Sequence, residues 1–169
     1  GEDSSVKVNL LSGRESMGFS EVGRSVGAIN RESSMANVVY TRAFGENTHF
    51  ALDGTLRFGK DVDERSYDVT GIAAYLTRKT GNGAAFAVRG EYLSQNNATS
   101  GILPTGPDGR KKPTLTSITL SYQLPGGSEG TRTILEYRYD RAADFIFDKG
   151  SSSLKKDQSS ISIGQVFRY

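Results

Sequence analysis

Apolar and polar residues alternate with a period of two along most of this chain, and no window fits a helical period better. In the clearest run, at about 48–59, apolar side chains take one face and polar or charged side chains the other. The apolar face of that run carries Phe50, Leu52, Gly54, Leu56 and Phe58. Eight strands are therefore predicted, at about 5–12, 35–44, 48–59, 68–79, 84–94, 114–124, 131–140 and the C-terminal end. Both faces of the 68–79 run are apolar, which leaves its orientation open.

The last run, residues 161–169, ends on an aromatic residue, Tyr169. Its odd positions are mostly apolar and its even positions small or polar, as expected of a strand between lipid and a polar lumen. An unpaired edge strand invites aggregation, because its N–H and C=O groups are open to another chain. We therefore expect this strand to pair with the first one, near Val6–Leu10, and to close a barrel. A terminal aromatic also resembles the signal by which outer-membrane barrels are handed to the barrel-assembly machinery.

The connections between predicted strands alternate in length. The short ones, rich in Gly, Asn and Pro, are 45–47, 80–83 and 125–130, and the long polar ones are 13–34, 60–67, 95–113 and 141–156. Alternation of short and long connections is typical of outer-membrane barrels, with short periplasmic turns and longer extracellular loops. We therefore predict a single all-β domain over 1–169. Its predicted fold is an antiparallel eight-stranded up-and-down transmembrane β-barrel with both termini periplasmic.

Composition excludes several other classes. No stretch approaches the roughly 18 uninterrupted apolar residues that a membrane-spanning helix needs. The chain has no Cys, which excludes disulfides, thiolate nucleophiles and Cys-bound metals. Its net charge is +2 and its charges are interspersed, so nucleic acid is not an expected partner. No cofactor is indicated.

The aromatic residues fall into two groups when the topology is set by connection length. Phe44, Phe50, Phe86, Tyr122, Phe167 and Tyr169 lie at the predicted periplasmic strand ends, and Phe58, Tyr92, Tyr137 and Tyr139 lie toward the other end. Phe50 and Phe58 are separated by about 20 Å along the barrel axis, close to the height of an outer-membrane apolar band. The alternative is a soluble β-sandwich or lipocalin-like barrel, in which the aromatic side chains would face a core.

Arg42 does not fit the alternation, because it shares a face with Tyr40 and Phe44. Two interpretations remain open. Arg42 extends from the lipid-facing side to the nearby interface, or a β-bulge changes its direction.

Charged residues recur on the predicted inward face. These residues are Lys7, Asp53, Arg57, Arg89, Glu91, Arg132, Glu136, Arg138, Asp140 and Arg168. An eight-stranded barrel is just wide enough for side chains to fill its interior, and buried charges need partners. We therefore expect a charge-paired lumen centred on Arg89–Glu91 and Glu136–Arg138. The alternative is a narrow charged pore with a slight anion preference.

Sites for other chemistry are few. His49 is the only histidine, and it lies at the predicted periplasmic rim, whereas lipid-modifying barrel enzymes work near the outer leaflet. One predicted loop is acidic, with Asp61, Asp63 and Glu64. It is either a solvated segment or a weak Ca²⁺ site. No metal site is assigned.

Two long connections are candidate contact surfaces. The basic end of 95–113 is either a hydrophilic loop or a contact for lipopolysaccharide phosphates. Segment 13–34 is unusually apolar, which suggests strand extension, cover of the barrel mouth or a partner protein. The expected partners are thus outer-membrane lipid, lipopolysaccharide, the assembly machinery, and a protein at one or both segments.

From the fourth predicted strand onward, several short motifs occur in an order that resembles one known family. They are residues 70–76 (TGIAAYL), 87–92 (AVRGEY), 115–122 (LTSITLSY), 136–140 (EYRYD) and 156–160 (KDQSS). Over roughly 100 C-terminal residues the chain resembles the β-barrel porin-2 family of bacterial outer membranes. Members of that family are longer and have more strands, so the chain looks like a reduced version of it. The resemblance implies an integral outer-membrane barrel of porin-like type.

These patterns together predict a structural or partner-docking barrel with a charge-filled lumen. A narrow porin, alone or as one protomer of an oligomer, is the main alternative. A lipid-modifying enzyme is a third alternative; we expect no enzyme activity.

Overall fold

The strands are described by a computed structural model that covers residues 4–17, 20–21, 24–25, 29–60, 66–96, 113–125, 131–143, 146–148 and 154–167. Within these ranges the chain forms strands and turns, and none of its segments is a helix long and apolar enough to cross a membrane. The strands are β1 (Ser4–Met17), β2 (Ser20–Glu21), β3 (Arg24–Ser25), β4 (Ile29–Phe44), β5 (Thr48–Lys60), β6 (Ser66–Lys79), β7 (Ala85–Gln95), β8 (Thr114–Gln123), β9 (Thr131–Ala142), β10 (Phe147–Asp148), β11 (Leu154–Lys155) and β12 (Asp157–Phe167).

The eight long strands form one antiparallel sheet in the order β1-β4-β5-β6-β7-β8-β9-β12. The short strands pair locally, β2 with β3 and β10 with β11, inside two of the long connections. The eight predicted strands and their up-and-down order are therefore confirmed. β1 and β4 are longer than predicted, because their backbone pairing continues to Met17 opposite Ile29, beyond the regular alternation.

Each strand is paired with its neighbours in a continuous register, which fixes the two faces of the sheet. One row across the sheet joins Lys7, Val39, Asp53, Ala73, Glu91, Ser117, Asp140 and Gln158. We call the face that carries this row the polar face and the opposite one the apolar face. The register also settles the orientation of β6: Ile72 and Leu76 lie on the apolar face, and Tyr75 lies on the polar face beside Arg89.

Burial on the two faces is the reverse of that in a soluble sheet. Along β8 the exposed fractions are 2% for Ser117, 50% for Ile118, 4% for Thr119 and 47% for Leu120. On β8 the polar side chains are thus buried among their neighbours, while the apolar side chains between them are exposed. A soluble sandwich or lipocalin-like barrel buries its apolar face instead.

The sheet is open, so the expected pairing of β12 with β1 is not observed between the described residues. The two edge strands are offset along the sheet. β1 continues for ten residues past Lys7, to Met17, whereas β12 begins one residue before Gln158, at Asp157. Because of this offset, the row that passes through Lys7 reaches only the start of β12.

Tight turns join the strands at one end of the sheet, which we call the turn end; the other is the long-connection end. β4 and β5 are joined by residues 45–47, and β6 and β7 by residues 80–84. In the second turn, the Thr80 amide donates to the Ala84 carbonyl at 2.8 Å, and Gly83 has φ +85°. This left-handed conformation is costly for residues that carry a Cβ atom.

Gly83→Ala is expected to lower the free energy of unfolding by about 1 kcal/mol, because alanine is strained at this φ. Gly81→Ala in the same turn is the matched control. A Cβ atom added at either glycine would have no heavy atom within 4 Å, and Gly81 lacks the positive φ. Urea unfolding of the protein in detergent micelles measures both effects. Equal effects of the two substitutions would contradict this account of the turn.

Candidate functional site

Four charged side chains meet near the centre of the polar face. Arg89 and Glu91 extend from β7, and Arg138 and Asp140 extend from β9. β8 lies between these strands and contributes Ser117. Side chains two residues apart on a strand point to the same face, so each strand offers a cation and an anion side by side. We call these five residues, together with Gln158 of β12, the central cluster.

Arg138 contacts three other members of the central cluster. Its Nη1 lies 3.1 Å from Glu91 Oε2, its Nε lies 2.8 Å from Asp140 Oδ1, and its Nη2 donates to Ser117 Oγ at 3.0 Å. Each guanidinium nitrogen therefore has a partner on the polar face. These contacts cross from β9 to β8 and β7 and tie three strands together.

The two carboxylates complete the central cluster. Glu91 pairs with Arg89 as well as with Arg138, and the Arg89 guanidinium lies over the Tyr75 ring at 5.1 Å. Asp140 accepts hydrogen bonds from Ser117 Oγ at 2.5 Å and from Gln158 Nε2 at 3.1 Å. Two cations and two anions thus balance one another, and hydrogen bonds extend the network to β12.

Room remains beside the central cluster. A cavity of about 370 Å³ on the polar face is bordered by Asp53, Tyr75, Arg89, Glu91 and Arg138, among others. Two buried polar atoms of the described residues, Arg89 Nε and Thr119 Oγ1, have no protein partner. Of the two residues, Arg89 borders this cavity. A water molecule occupies about 30 Å³ in the liquid, so the cavity is large enough for several waters beside Arg89.

A second polar group lies on β1, β4 and β5. Asn37 Nδ2 donates to Asp53 Oδ1 at 2.6 Å, and Thr55 Oγ1 donates to the same oxygen at 3.1 Å. Asn9 Nδ2 in turn donates to Asn37 Oδ1 at 2.9 Å. Asp53 is therefore held by neutral donors. Sequence reasoning identified Asp53 but missed its neutral partners, because it selected inward positions by charge. The missed residues are Asn9, Asn37, Thr55, Ser117 and Gln158, and their place on the polar face is the signal that was available.

The remaining predicted lumen residues do not join the central cluster. Glu136 accepts a hydrogen bond from Ser121 Oγ at 3.2 Å, and Arg57 Nη2 donates to Ser33 Oγ at 3.4 Å. Lys7 is exposed on an edge strand, and Arg132 is exposed near the turn end. The register places all nine described members of the predicted set on the polar face, and Arg168 lies outside the described residues. Arg89 pairs with Glu91, and Arg138 pairs with Glu91 and Asp140 rather than with Glu136.

Aromatic side chains are concentrated on the apolar face at the turn end. Phe86 and Tyr122 stack with ring centroids 4.5 Å apart, and Phe50 meets Tyr40 edge-on at 6.4 Å. Phe44 is the last residue of β4. The side chain of Phe167 and all of Tyr169 lie outside the description.

The second predicted aromatic group is spread along its strands. Phe58 lies close to the end of β5, and Tyr92 and Tyr139 lie between strand centre and strand end. Tyr137 occupies the middle of β9 rather than its end. The register places Tyr137 in the same row as Leu120, Val88, Leu76 and Phe50, short of the long-connection end.

Arg42 lies on the apolar face without any bulge. Its register with Ser4 and with Phe50 continues unbroken on both sides. Its Cζ lies 5.0 Å from the centre of the Phe44 ring, a cation–π contact. The β-bulge interpretation is therefore wrong.

His49 is exposed on the polar face at the turn end. The cavity beside it, of about 260 Å³, is bordered by Thr41, Tyr75 and Thr77 among others, and no carboxylate is among its described residues. The described residues also contain no group of three metal-ligating side chains. Asp61, Asp63 and Glu64 lie outside the description, as do most of 95–113 and much of 13–34.

Comparison with known proteins agrees with this architecture. The model of the family described as "Putative beta-barrel porin-2, OmpL-like" matches residues 2–169. The match includes β1, β4 and β5 as well as the C-terminal segment that carries the motifs. No curated protein and no solved structure matches the chain. The sheet of alternating strands and the family match together show that the chain belongs to the β-barrel porin-2 family, the porin-like barrels of the bacterial outer membrane.

Proposed function

We propose that this chain is an outer-membrane barrel whose lumen is filled by the central cluster, so that it serves as a structural or partner-docking barrel rather than an open channel. The observation that carries the proposal is the position of the central cluster. Its ion pairs and hydrogen bonds link β7, β8, β9 and β12 across the polar face.

The reversed burial supports placing the apolar face against lipid. The exposed side chains of Leu52, Ile72, Val88, Ile118 and Leu120 form a continuous apolar surface across the sheet. In water such a surface favours association, whereas in a bilayer it meets hydrocarbon. The orientation we propose keeps the turn end, and with it both chain ends, in the periplasm.

The offset of the edge strands supports closure of the sheet into a barrel. Barrel strands tilt, and closure then requires a fixed stagger, which is eight residues in the eight-stranded (β/α)₈ barrel. A shift of about eight residues brings Phe167 beside Val6 and Asp157 beside Ser16, so that β12 lies alongside β1 over its full length. An even shift also keeps Leu10 and Ile163 together on the apolar face. In the open sheet both side chains are exposed, by 79% for Leu10 and by 72% for Ile163.

Cysteine pairs test this closure, because the chain has no native Cys. Leu10→Cys combined with Ile163→Cys is expected to form an intramolecular disulfide in the folded protein, read as faster migration on non-reducing gels. Ser12→Cys with Ile163→Cys tests a stagger of about ten residues instead.

Leu120→Cys with Ile163→Cys is the control. These positions lie on the same face two strands apart, about 10 Å in lateral distance and beyond disulfide reach. Disulfide-linked dimers in place of the intramolecular product would contradict self-closure. Absence of every cross-link in the folded protein would contradict it as well.

The ion pairs explain how a charged lumen remains stable. A charge removed from water without a partner costs several kcal/mol, and a paired and hydrogen-bonded group avoids most of that cost. The side chain of Asp140 is 8% exposed and that of Glu91 is 21% exposed, so both depend on their partners.

Glu91→Gln is expected to lower the free energy of unfolding by about 2 kcal/mol, because Arg89 loses its anion and Arg138 loses one of two. Glu136→Gln is the matched control on the same face and is expected to cost about 0.5 kcal/mol, since only a Ser121 hydrogen bond changes. Urea unfolding in detergent micelles measures both. A Glu136 effect as large as the Glu91 effect would contradict the central role of the cluster.

Planar bilayers test the filled lumen directly. The parent protein is expected to give no steady single-channel current, whereas Glu91→Ala/Arg138→Ala is expected to conduct because the cross-lumen pair is removed. Arg132→Ala/Glu136→Ala is the matched control, with the same change of charge outside the central cluster. Steady conductance by the parent protein would contradict the proposal.

One observation favours a narrow pore as a second candidate. The cavity beside the central cluster is bordered by Arg89, whose Nε has no protein partner, and cations outnumber anions among the predicted lumen residues. Such a pore is expected to prefer anions slightly. Arg89→Ala/Arg138→Ala then removes that preference, measured as a shift in reversal potential under a salt gradient. Unchanged selectivity in a conducting protein would contradict this candidate.

A further inference from the structure

Two arginines lie on the apolar face at the turn end. Arg42 of β4 and Arg78 of β6 flank β5, and both side chains are exposed. In the register Arg42 lies beside Phe50, and Phe50 lies beside Leu76, two residues before Arg78. With usual strand spacings, the two Cα atoms are about 12 Å apart. Two extended side chains are long enough to reach a single group between them.

Neither arginine is neutralised by a described side chain. Arg42 lies over the ring of Phe44, and Arg78 lies between Thr48 and Phe86 in the register. Among the described residues at this end, the one acidic residue is Glu46, in the turn itself. At the rim of an apolar surface, two cations that no described carboxylate neutralises favour the binding of an anion.

The opposite end of the apolar face has a different charge pattern. There Lys60 and Arg141 are accompanied by acidic residues on the same face, Asp68 and Asp157, and Asp157 is the register partner of Arg141. The excess of positive charge on the apolar face is thus a property of the turn end within the described residues.

We propose that Arg42 and Arg78 bind the phosphate of an anionic phospholipid in the leaflet that meets the turn end, an assignment that rests on the proposed contact of the apolar face with lipid. The planar guanidinium group binds phosphate oxygens through two parallel hydrogen bonds. Arg42 lies over the ring of Phe44, and its register partner is Phe50, while that of Arg78 is Phe86. These three rings supply an apolar wall for the glycerol and upper acyl chain. Aromatic rings are well placed there, at the level of the headgroups.

This arrangement explains why arginine is found at these positions. At the hydrocarbon centre an arginine on the lipid face destabilises a barrel, and that penalty falls nearly to zero near the interface. A phosphate at the same height turns the cost into a binding contact. An anionic phospholipid therefore matches the two arginines both in charge and in height within the membrane.

Native mass spectrometry of the detergent-solubilised protein tests the proposal. The parent protein is expected to retain phosphatidylglycerol at concentrations at which phosphatidylcholine is not retained. Arg42→Gln/Arg78→Gln is expected to weaken phosphatidylglycerol binding by about fivefold for each arginine removed. Lys60→Gln/Arg141→Gln is the matched control, with the same charge change on the same face, and is expected to bind like the parent.

Heat-modifiable migration on gels after insertion into liposomes reports folding separately. A parent protein that never inserts overturns the proposed function itself. A parent that inserts but binds both lipids equally, or an inserted Arg42→Gln/Arg78→Gln variant with unchanged affinity, overturns only the lipid site. If the double variant does not insert, the single variants Arg42→Gln and Arg78→Gln are measured in the same way. Each is expected to bind phosphatidylglycerol about fivefold more weakly than the parent.

Discussion

The arrangement that the rest of this structure depends on is a sheet whose central strands bury polar side chains on one face and expose apolar side chains on the other. Neighbouring residues of β8 differ sharply, with Ser117 at 2% exposed and Ile118 at 50%. In water the hydrophobic effect opposes such an arrangement, because apolar area gains most from leaving the solvent. In hydrocarbon the preference disappears, and backbone hydrogen bonding within the sheet becomes the dominant requirement. The fold is therefore understandable only with a bilayer on one side.

The central cluster holds together the polar side chains that this arrangement buries. In the barrel that we propose, a lumen lined by polar residues has no hydrophobic core, so its cohesion comes from ion pairs and hydrogen bonds. Arg138 supplies this cohesion by contacting Glu91, Asp140 and Ser117 at once. In the proposed closed barrel the same contacts narrow the space available to a solute, so that stability and low permeability have one physical cause.

The sequence predicts the strands well because period-two alternation acts locally and needs no knowledge of partners. The face of the sheet that each charged residue takes was also predictable, since a continuous register preserves each residue's face across the sheet. Individual pairings were not predictable. Whether Arg138 contacts Glu136 on its own strand or Glu91 two strands away depends on the register and on side-chain directions that the pattern does not encode.

Neutral members of the network were missed for a related reason. Asn37 and Gln158 look like ordinary polar positions until the register places them beside Asp53 and Asp140. The open edge between β1 and β12 differs from the expected closure, because local alternation contains no information on long-range stagger.

The claim that the apolar face meets lipid is tested most directly by brominated-lipid quenching of a fluorophore on single cysteines in β8. Leu120→Cys and Ser121→Cys are suitable sites, because they are adjacent but lie on opposite faces. If the apolar face meets lipid, the fluorophore at position 120 is strongly quenched in liposomes and the fluorophore at position 121 is quenched little. Equal quenching at the two positions, or stronger quenching at 121, would contradict it.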